Sequence, residues 1–98
     1  MPAVQISRAP SRAQYEQVGK QVDVAGDPPA GLILHAAVEL PSGEVEIVDV
    51  FETAEALAAF AAARVVPALQ RTLSQEELAA HPRPTAYDAF EYVAGGAR

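Results

Sequence analysis

His35 is the residue of this sequence with the clearest capacity for chemistry, because it lies in the middle of the mostly apolar run 32–40. An imidazole titrates near neutral pH, and one that is shielded from water can act as a general base or acid. The same position also suits a core histidine that hydrogen-bonds a backbone group or a carboxylate. The sequence leaves both interpretations, catalytic and structural, open.

Asp49 is the candidate catalytic partner of His35, and the length of one turn decides whether the two residues meet. The Pro-Ser-Gly sequence at 41–43 is typical of a tight turn between two strands. A three-residue loop pairs Leu40 with Glu44 and puts His35 opposite Asp49. A loop of two or four residues moves the pairing by one residue and turns Asp49 to the other face of the sheet.

Five further residues are candidates for contacts with a bound ligand: Tyr15, Phe51, Phe60, Arg64 and Tyr87. The phenols can donate hydrogen bonds, and Arg64, one helical turn after Phe60, could hold an anionic or enolate oxygen. Each also has a structural interpretation. The aromatic side chains can pack at the edge of the core, and Arg64 can lie on the surface or pair with Asp49.

The elements that must position these side chains follow from the hydropathy pattern. A first helix begins after Ser11, which forms a capping-box pattern with Gln14, and it is expected to end near Gly26. Alternating residues, or apolar runs bounded by turn residues, predict four strands, at 4–8, 32–40, 44–51 and 85–94.

A second helix follows the third strand, with Thr53 as a suitable N-cap. Pro67 interrupts it, because proline lacks an N–H donor and its ring clashes one turn back. The sequence therefore predicts a kink, a second helical piece at 67–73, and a last helical turn at 75–80.

The order β-α-β-β-α-β predicts an α+β, ferredoxin-like fold, in which a four-stranded antiparallel sheet carries helices on one face. We expect a single domain over 1–98, with a frayed tail at 95–98. Both faces of the hairpin strands are apolar, while the helices can cover only one. A second copy is the expected cover, so the sequence predicts a homodimer in which two sheets meet as a dimeric α/β barrel. A monomer with a weakly apolar solvent face is the alternative.

The apolar residues of the second strand also predict where His35 points. Leu32, Leu34, Ala36 and Val38 alternate with His35. If this apolar set faces the helices, His35 points away from them, into the cavity between the two sheets of the dimer.

Three stretches of the sequence resemble a known family. They are Gly-Leu-Ile-Leu-His-Ala-Ala at 31–37, Val-Asp-Val-Phe-Glu-Thr at 48–53, and Arg-Val-Val-Pro-Ala-Leu at 64–69 after Phe60. Over residues 3–94 the chain resembles a small actinobacterial group of the dimeric α/β-barrel superfamily, which includes the antibiotic-biosynthesis monooxygenases. The resemblance implies the ferredoxin-like fold. The activities of proteins in this superfamily include cofactor-free oxygenation of polyketide phenols, haem degradation, lactone isomerisation and polyketide cyclisation.

The chain departs from the active branches that it resembles. Monooxygenases and haem-handling members often carry a histidine on the second helix, but 53–66 contains none, and the chain has no tryptophan. These departures weaken the oxygenase interpretation and argue against haem.

Composition excludes several other classes of function. The net charge is −6, and one lysine and six scattered arginines form no basic cluster, so we expect neither nucleic acid nor an anionic membrane as partner. There is no cysteine, and no apolar run approaches the roughly 20 residues of a membrane span. With two histidines and no phosphate-binding glycine loop, we expect no metal and no cofactor. The N-terminus lacks the apolar core of a secretory signal, which indicates the cytoplasm.

Two hypotheses of different classes follow. In the first, a homodimer binds a hydrophobic, phenolic or polyketide-like small molecule, and His35 oriented by Asp49 removes a proton from it, as a cofactor-free monooxygenase, cyclase or isomerase. In the second, the dimer is a non-catalytic ligand-binding or structural protein whose His35 serves the fold.

Overall fold

A computed structural model describes residues 1–96 of the chain. Four strands and a series of helices follow one another in the predicted order, and a π-helical turn at Ala61–Val65 joins two of the helices. The elements are β1 (Ala3–Ala9), α1 (Arg12–Val22), β2 (Leu32–Glu39), β3 (Val45–Phe51), α2 (Ala54–Phe60), α3 (Val66–Thr72), α4 (Gln75–Ala80) and β4 (Thr85–Asp88).

The four strands form one antiparallel sheet in the order β2-β3-β1-β4, which confirms the ferredoxin-like α+β fold. Helices pack on one face of this sheet and build the core with it. The buried cluster combines Ala3 and Phe51 from the sheet with Val22, Leu57, Phe60 and Ala68 from the helices. No helix in the described part of the chain is both long and apolar enough to cross a bilayer.

The hairpin between β2 and β3 has the register of the three-residue loop. The Leu40 N–H donates to the Glu44 carbonyl over 2.8 Å, and Gly43 takes a positive φ of 91° that the turn requires. His35 consequently lies opposite Asp49. Of the two registers that the sequence left open, the one that joins these residues is the one observed.

The predicted direction of His35 is wrong, because the helices cover the opposite face of β2 from the one expected. Asp49 shares a face of β3 with Phe51, which is fully buried against the helices, and His35 pairs with Asp49. A β-bulge at Ile33 places Leu32 and Leu34 on different faces. Leu34 and Val38 are therefore half exposed on the open face of the sheet, while His35 points toward the helices.

The first helix ends earlier than predicted, at Val22 rather than near Gly26. Asp23 adopts the left-handed conformation (φ 53°, ψ 52°), which stops the helix, and its N–H donates to the Gly19 carbonyl. The guanidinium of Arg64 completes this end by donating to the carbonyls of Val22 and Asp23.

The helix continues past Pro67 through a wider turn. A regular α-helix would set the carbonyl of residue 63 against the proline ring. The turn Ala61–Val65 is π-helical, so the Val66 N–H reaches back five residues to the Ala61 carbonyl. The chain thus remains helical from α2 into α3.

The last strand, β4, ends at Asp88 and is shorter than the predicted 85–94. It ends there because its partner strand β1 begins at Ala3 and offers no further residues of β1 to pair with. β4 pairs with the start of β1, where Asp88 lies opposite Ala3. One further bond joins the Ala89 N–H to the Pro2 carbonyl, and Pro2 itself has no N–H to donate. Of the predicted frayed tail 95–98, Gly95 and Gly96 belong to no helix or strand, and residues 97 and 98 lie outside the described part of the chain.

Candidate active site

Three side chains from three elements form one hydrogen-bonded series beneath the helices. Nδ1 of His35 on β2 lies 2.5 Å from a carboxylate oxygen of Asp49 on β3. Nε2 of the same ring lies 2.8 Å from the hydroxyl oxygen of Tyr15 on α1. The Tyr15 and His35 rings are nearly parallel, with 12° between their planes and 6.5 Å between their centroids. The series is Tyr15–His35–Asp49.

Chemistry fixes the direction of these hydrogen bonds. An ionised carboxylate only accepts, so the Nδ1–H of His35 donates to Asp49. In the neutral imidazole this leaves Nε2 as an acceptor, and the Tyr15 O–H donates to it. The Asp49 side chain is 7% exposed and that of His35 is 25% exposed. The carboxylate therefore holds the ring in one tautomer and would stabilise an imidazolium formed on it.

The start of α1 positions Tyr15. Ser11 is the N-cap, and its hydroxyl accepts a hydrogen bond from the Gln14 N–H over 3.1 Å. The Tyr15 N–H then donates to the Ser11 carbonyl over 3.0 Å, which fixes Tyr15 in the first turn. The side chain of Gln14, expected to complete the capping box, instead lines the neighbouring cleft with its Oε1 buried.

A cleft of about 580 Å³ lies between the sheet, α1 and the second helical segment, and the Tyr15–His35–Asp49 series forms part of its wall. Val18 and Val22 of α1 and Leu69 of α3 make its helical side largely apolar. On the sheet side, Gln5, Ser7 and Arg8 of β1 add polar groups beside His35 and Asp49. Within residues 1–96, no group of three His, Cys, Asp or Glu side chains is arranged to hold a metal ion.

The other predicted ligand contacts have different positions. Phe60 lines the cleft, but Phe51 is buried beneath it in the core, with the two ring centroids 5.4 Å apart. Tyr87 on β4 lies opposite Val4 of β1. Its side chain is half exposed and does not line the cleft. Arg64 pairs with the end of α1 and lies over the Phe60 ring at 5.5 Å, so it is not the partner of Asp49.

The sequence does not predict the hydrogen bond between Tyr15 and His35, because it offers Tyr15 only as a donor to a ligand or as an aromatic residue at the edge of the core. The signal was present in two separate features. The capping pattern at Ser11 fixes the helical phase of Tyr15, and the antiparallel sheet brings β2 under that helix face. The predicted direction of His35, which is wrong, points the ring away from this helix face and so hides the contact with Tyr15.

Solved structures with the same fold include several antibiotic biosynthesis monooxygenase-like proteins. A candidate antibiotic biosynthesis monooxygenase from Deinococcus radiodurans has a TM-score of 0.62 at 18% identity, with 99% of this chain and 100% of that chain covered. Rv0793 from Mycobacterium tuberculosis has a TM-score of 0.69 at 12% identity, with 96% and 100% covered. SnoaB, a cofactor-independent oxygenase from Streptomyces nogalater, has a TM-score of 0.64 at 14% identity, with 96% and 98% covered.

The chain has the fold of antibiotic biosynthesis monooxygenase-like proteins. Its sequence matches no protein-family model, and no curated protein matches it either. The likeness therefore confirms the fold that the resemblance implied, and the chemistry must be argued from the residues of the cleft.

Burial of Tyr15, together with the negative charge of Asp49, raises the pKa of its phenol above the ordinary value of 10.0. We expect Asp49→Asn to lower this pKa without restoring the ordinary value, because burial is the larger cause and remains. The folded chain holds the phenol proton more tightly than the unfolded chain does. The free energy of unfolding should therefore decrease as the pH rises above the ordinary tyrosine pKa.

NMR of ring-labelled tyrosine across a pH titration measures the ionisation of Tyr15 directly. The matched control is Asp88→Asn, which removes the same charge from β4 at the opposite edge of the sheet from His35. This control should leave the Tyr15 titration unchanged. Ionisation of Tyr15 at or below the ordinary tyrosine pKa in the wild-type chain would contradict the described environment.

Proposed function

We propose that this protein binds a hydrophobic, phenolic or polyketide-like small molecule in the cleft and removes a proton from it, with His35 as the general base. The observation that carries the proposal is the carboxylate-oriented imidazole in the wall of an apolar cleft. Asp49 would orient the ring and compensate the positive charge that the ring acquires.

The cleft suits a ligand of this class in size and character. Its volume of about 580 Å³ lies within the range of about 300–1,000 Å³ that is typical of small-molecule sites. Apolar residues of α1 and the second helical segment would cover the flat faces of a polycyclic compound. The few polar groups on the sheet side would then meet its oxygen atoms.

The proposed step is the removal of a proton from an acidic C–H or O–H of the ligand. The bond to hydrogen breaks, His35 gains the proton, and the electron pair remains on the ligand as an enolate or phenolate. Such an anion can isomerise, cyclise or react with molecular oxygen without a cofactor. The similarity in fold to SnoaB, a cofactor-independent oxygenase, supports chemistry of this kind.

We also propose that the protein is a homodimer, joined through the open face of the sheet. Leu34 and Val38 are 51% and 53% exposed there, and Ile6 of β1 is 38% exposed on the same face. Exposed apolar side chains on a sheet face without helices need a cover, and a second copy of the same face supplies one. The cleft lies on the other side of the sheet, within one protomer.

A non-catalytic role is the alternative, and one observation favours it. Both ring nitrogens of His35 have hydrogen-bond partners within the protein. A histidine whose donors and acceptors are all satisfied can serve to hold α1 against the sheet. In that case the cleft would bind a ligand without changing it, or the protein would act as a structural dimer.

The proton-removal step is testable with dithranol, a dihydroxyanthrone that carries an acidic C–H and matches the proposed class. Tritium placed at that carbon is released into the solvent when the bond is broken. Under nitrogen, we expect the wild-type protein to accelerate tritium release and His35→Gln to lose about 10²–10⁴-fold of that acceleration, the usual contribution of a positioned acid or base.

The matched control is Glu55→Gln, which removes another titratable side chain, one that is exposed on α2 and does not line the cleft. It should release tritium close to the wild-type rate. Thermal unfolding of each variant separates loss of chemistry from loss of fold. Equal rates for wild type and His35→Gln would overturn the catalytic proposal and favour the non-catalytic alternative.

The homodimer is tested by native mass spectrometry of wild type, Val38→Asp and Val66→Asp. Val38 and Val66 are similarly exposed, but Val66 lies on α3 rather than on the open sheet face. We expect a dimer for wild type and Val66→Asp, and a folded monomer for Val38→Asp, because two carboxylates would be brought into an apolar interface. A wild-type monomer, or a dimer that tolerates Val38→Asp, would contradict the proposed interface.

A further inference from the structure

We propose that Tyr15 is a catalytic residue, and that the proton of the substrate reaches His35 through the Tyr15 hydroxyl rather than directly. This inference rests on the proposed function and deepens it. It names the phenol oxygen of Tyr15 as the protein atom that meets the acidic hydrogen of the substrate.

Neither nitrogen of the neutral His35 ring has a free lone pair. Nδ1 carries the hydrogen that is donated to Asp49, and Nε2 accepts the hydroxyl hydrogen of Tyr15. The remaining ring atoms are carbons, which cannot accept a proton. A substrate in the cleft cannot use His35 as a base unless the contact with Tyr15 is either broken or used.

The hydrogen bond between Tyr15 and His35 is placed so that a proton can pass through it. Tyr15 lines the cleft itself, and its hydroxyl lies within hydrogen-bond distance of the base at 2.8 Å. Two anchors hold it there, the N-cap at Ser11 and the packing of α1 against the sheet. Withdrawal of Tyr15 would leave Nε2 unpaired in a partly buried site, which costs free energy. Transfer through the hydroxyl avoids that cost.

The transfer balances without any further reactant. The substrate C–H or O–H bond breaks, and its hydrogen forms a new O–H bond with the Tyr15 oxygen. In the same step the original Tyr15 O–H bond breaks, and that hydrogen forms an N–H bond at Nε2 of His35. The products are a substrate anion, a neutral Tyr15 phenol and an imidazolium ion beside the carboxylate of Asp49.

The resting state suits this role, because Tyr15 must begin as a neutral phenol. Burial and the charge of Asp49 both disfavour the phenolate and so raise its pKa. A phenol is a poor base alone, but it can accept one proton while it gives another to a neighbouring imidazole. As in a catalytic triad, a carboxylate orients an imidazole that accepts a proton from a hydroxyl group, and here the hydroxyl group is that of Tyr15.

The decisive variant is Tyr15→Phe, assayed by tritium release from dithranol under nitrogen. The change keeps the aromatic ring and removes only the hydroxyl. If Tyr15 relays the proton, the rate should fall about 10²–10⁴-fold while dithranol binding stays near that of wild type. The melting temperature should fall only modestly, because one partly buried hydrogen bond is lost and the protein stays folded. Tyr92→Phe is the matched control, because Tyr92 lies outside the cleft wall and beyond β4. It should keep the wild-type rate.

A second readout uses the wild-type protein alone and does not depend on any variant folding. The carbon–tritium bond that breaks is the same in H2O and in D2O, whereas the Tyr15 hydroxyl exchanges its hydrogen with the solvent. A relay moves that hydrogen in the same step, so tritium release should be slower in D2O. The residual tritium release by Tyr15→Phe should show no such solvent isotope effect. A purely structural role for Tyr15 would not produce this difference between wild type and variant.

The outcomes separate this inference from the function on which it rests. If Tyr15→Phe releases tritium as fast as wild type or faster, while His35→Gln does not, His35 accepts the proton directly and the relay is wrong. The absence of a solvent isotope effect in wild type would also overturn the relay. If wild type and His35→Gln release tritium equally, the proposed function itself fails, and the relay fails with it.

Discussion

The carboxylate of Asp49 is the charged group that the interior of this protein must accommodate, since it is the one charged residue buried in the described part of the chain, at 5% exposed. A charge removed from water is costly unless a partner compensates it. The partner is the Nδ1–H of His35, and that contact commits the other nitrogen of the same ring to Tyr15. One buried charge therefore constrains the pairing of β2 with β3 and the position at which α1 begins.

Several irregular features of the backbone serve this arrangement. The bulge at Ile33 separates Leu32, which packs against the core, from Leu34 on the open face. The π-helical turn at Ala61–Val65 lets the chain continue past Pro67, so that Arg64 reaches the end of α1 and Val65 lines the cleft. The helix-facing side of the sheet thus carries the Tyr15–His35–Asp49 series, while its other side exposes apolar side chains such as Leu34 and Val38.

Much of this could be predicted from the sequence, and the part that could not has a physical cause. The order of elements and the N-caps at Ser11 and Thr53 follow from local patterns, and all are observed. The hairpin register could only be narrowed to alternatives, because the loop length was uncertain. The direction of His35 was wrong because burial of Phe51 on β3, rather than the apolar run on β2, decides which face the helices cover. The length of β4 depends on where β1 begins, which is not a local property.

The Tyr15–His35–Asp49 series depends most directly on which nitrogen of the His35 ring carries the hydrogen. Nitrogen-15 NMR of labelled histidine at neutral pH measures this. The structure predicts that Nδ1 carries the hydrogen donated to Asp49 and that Nε2 accepts a hydrogen bond from Tyr15. The Nδ1 hydrogen should resonate far downfield and exchange slowly, because it lies in a short bond to a buried carboxylate. The His81 ring, whose Nδ1 contacts the carbonyl of Pro82 and no carboxylate, serves as an internal comparison in the same spectrum. A hydrogen on Nε2, or a rapidly averaging ring without a downfield proton, would contradict the Tyr15–His35–Asp49 series.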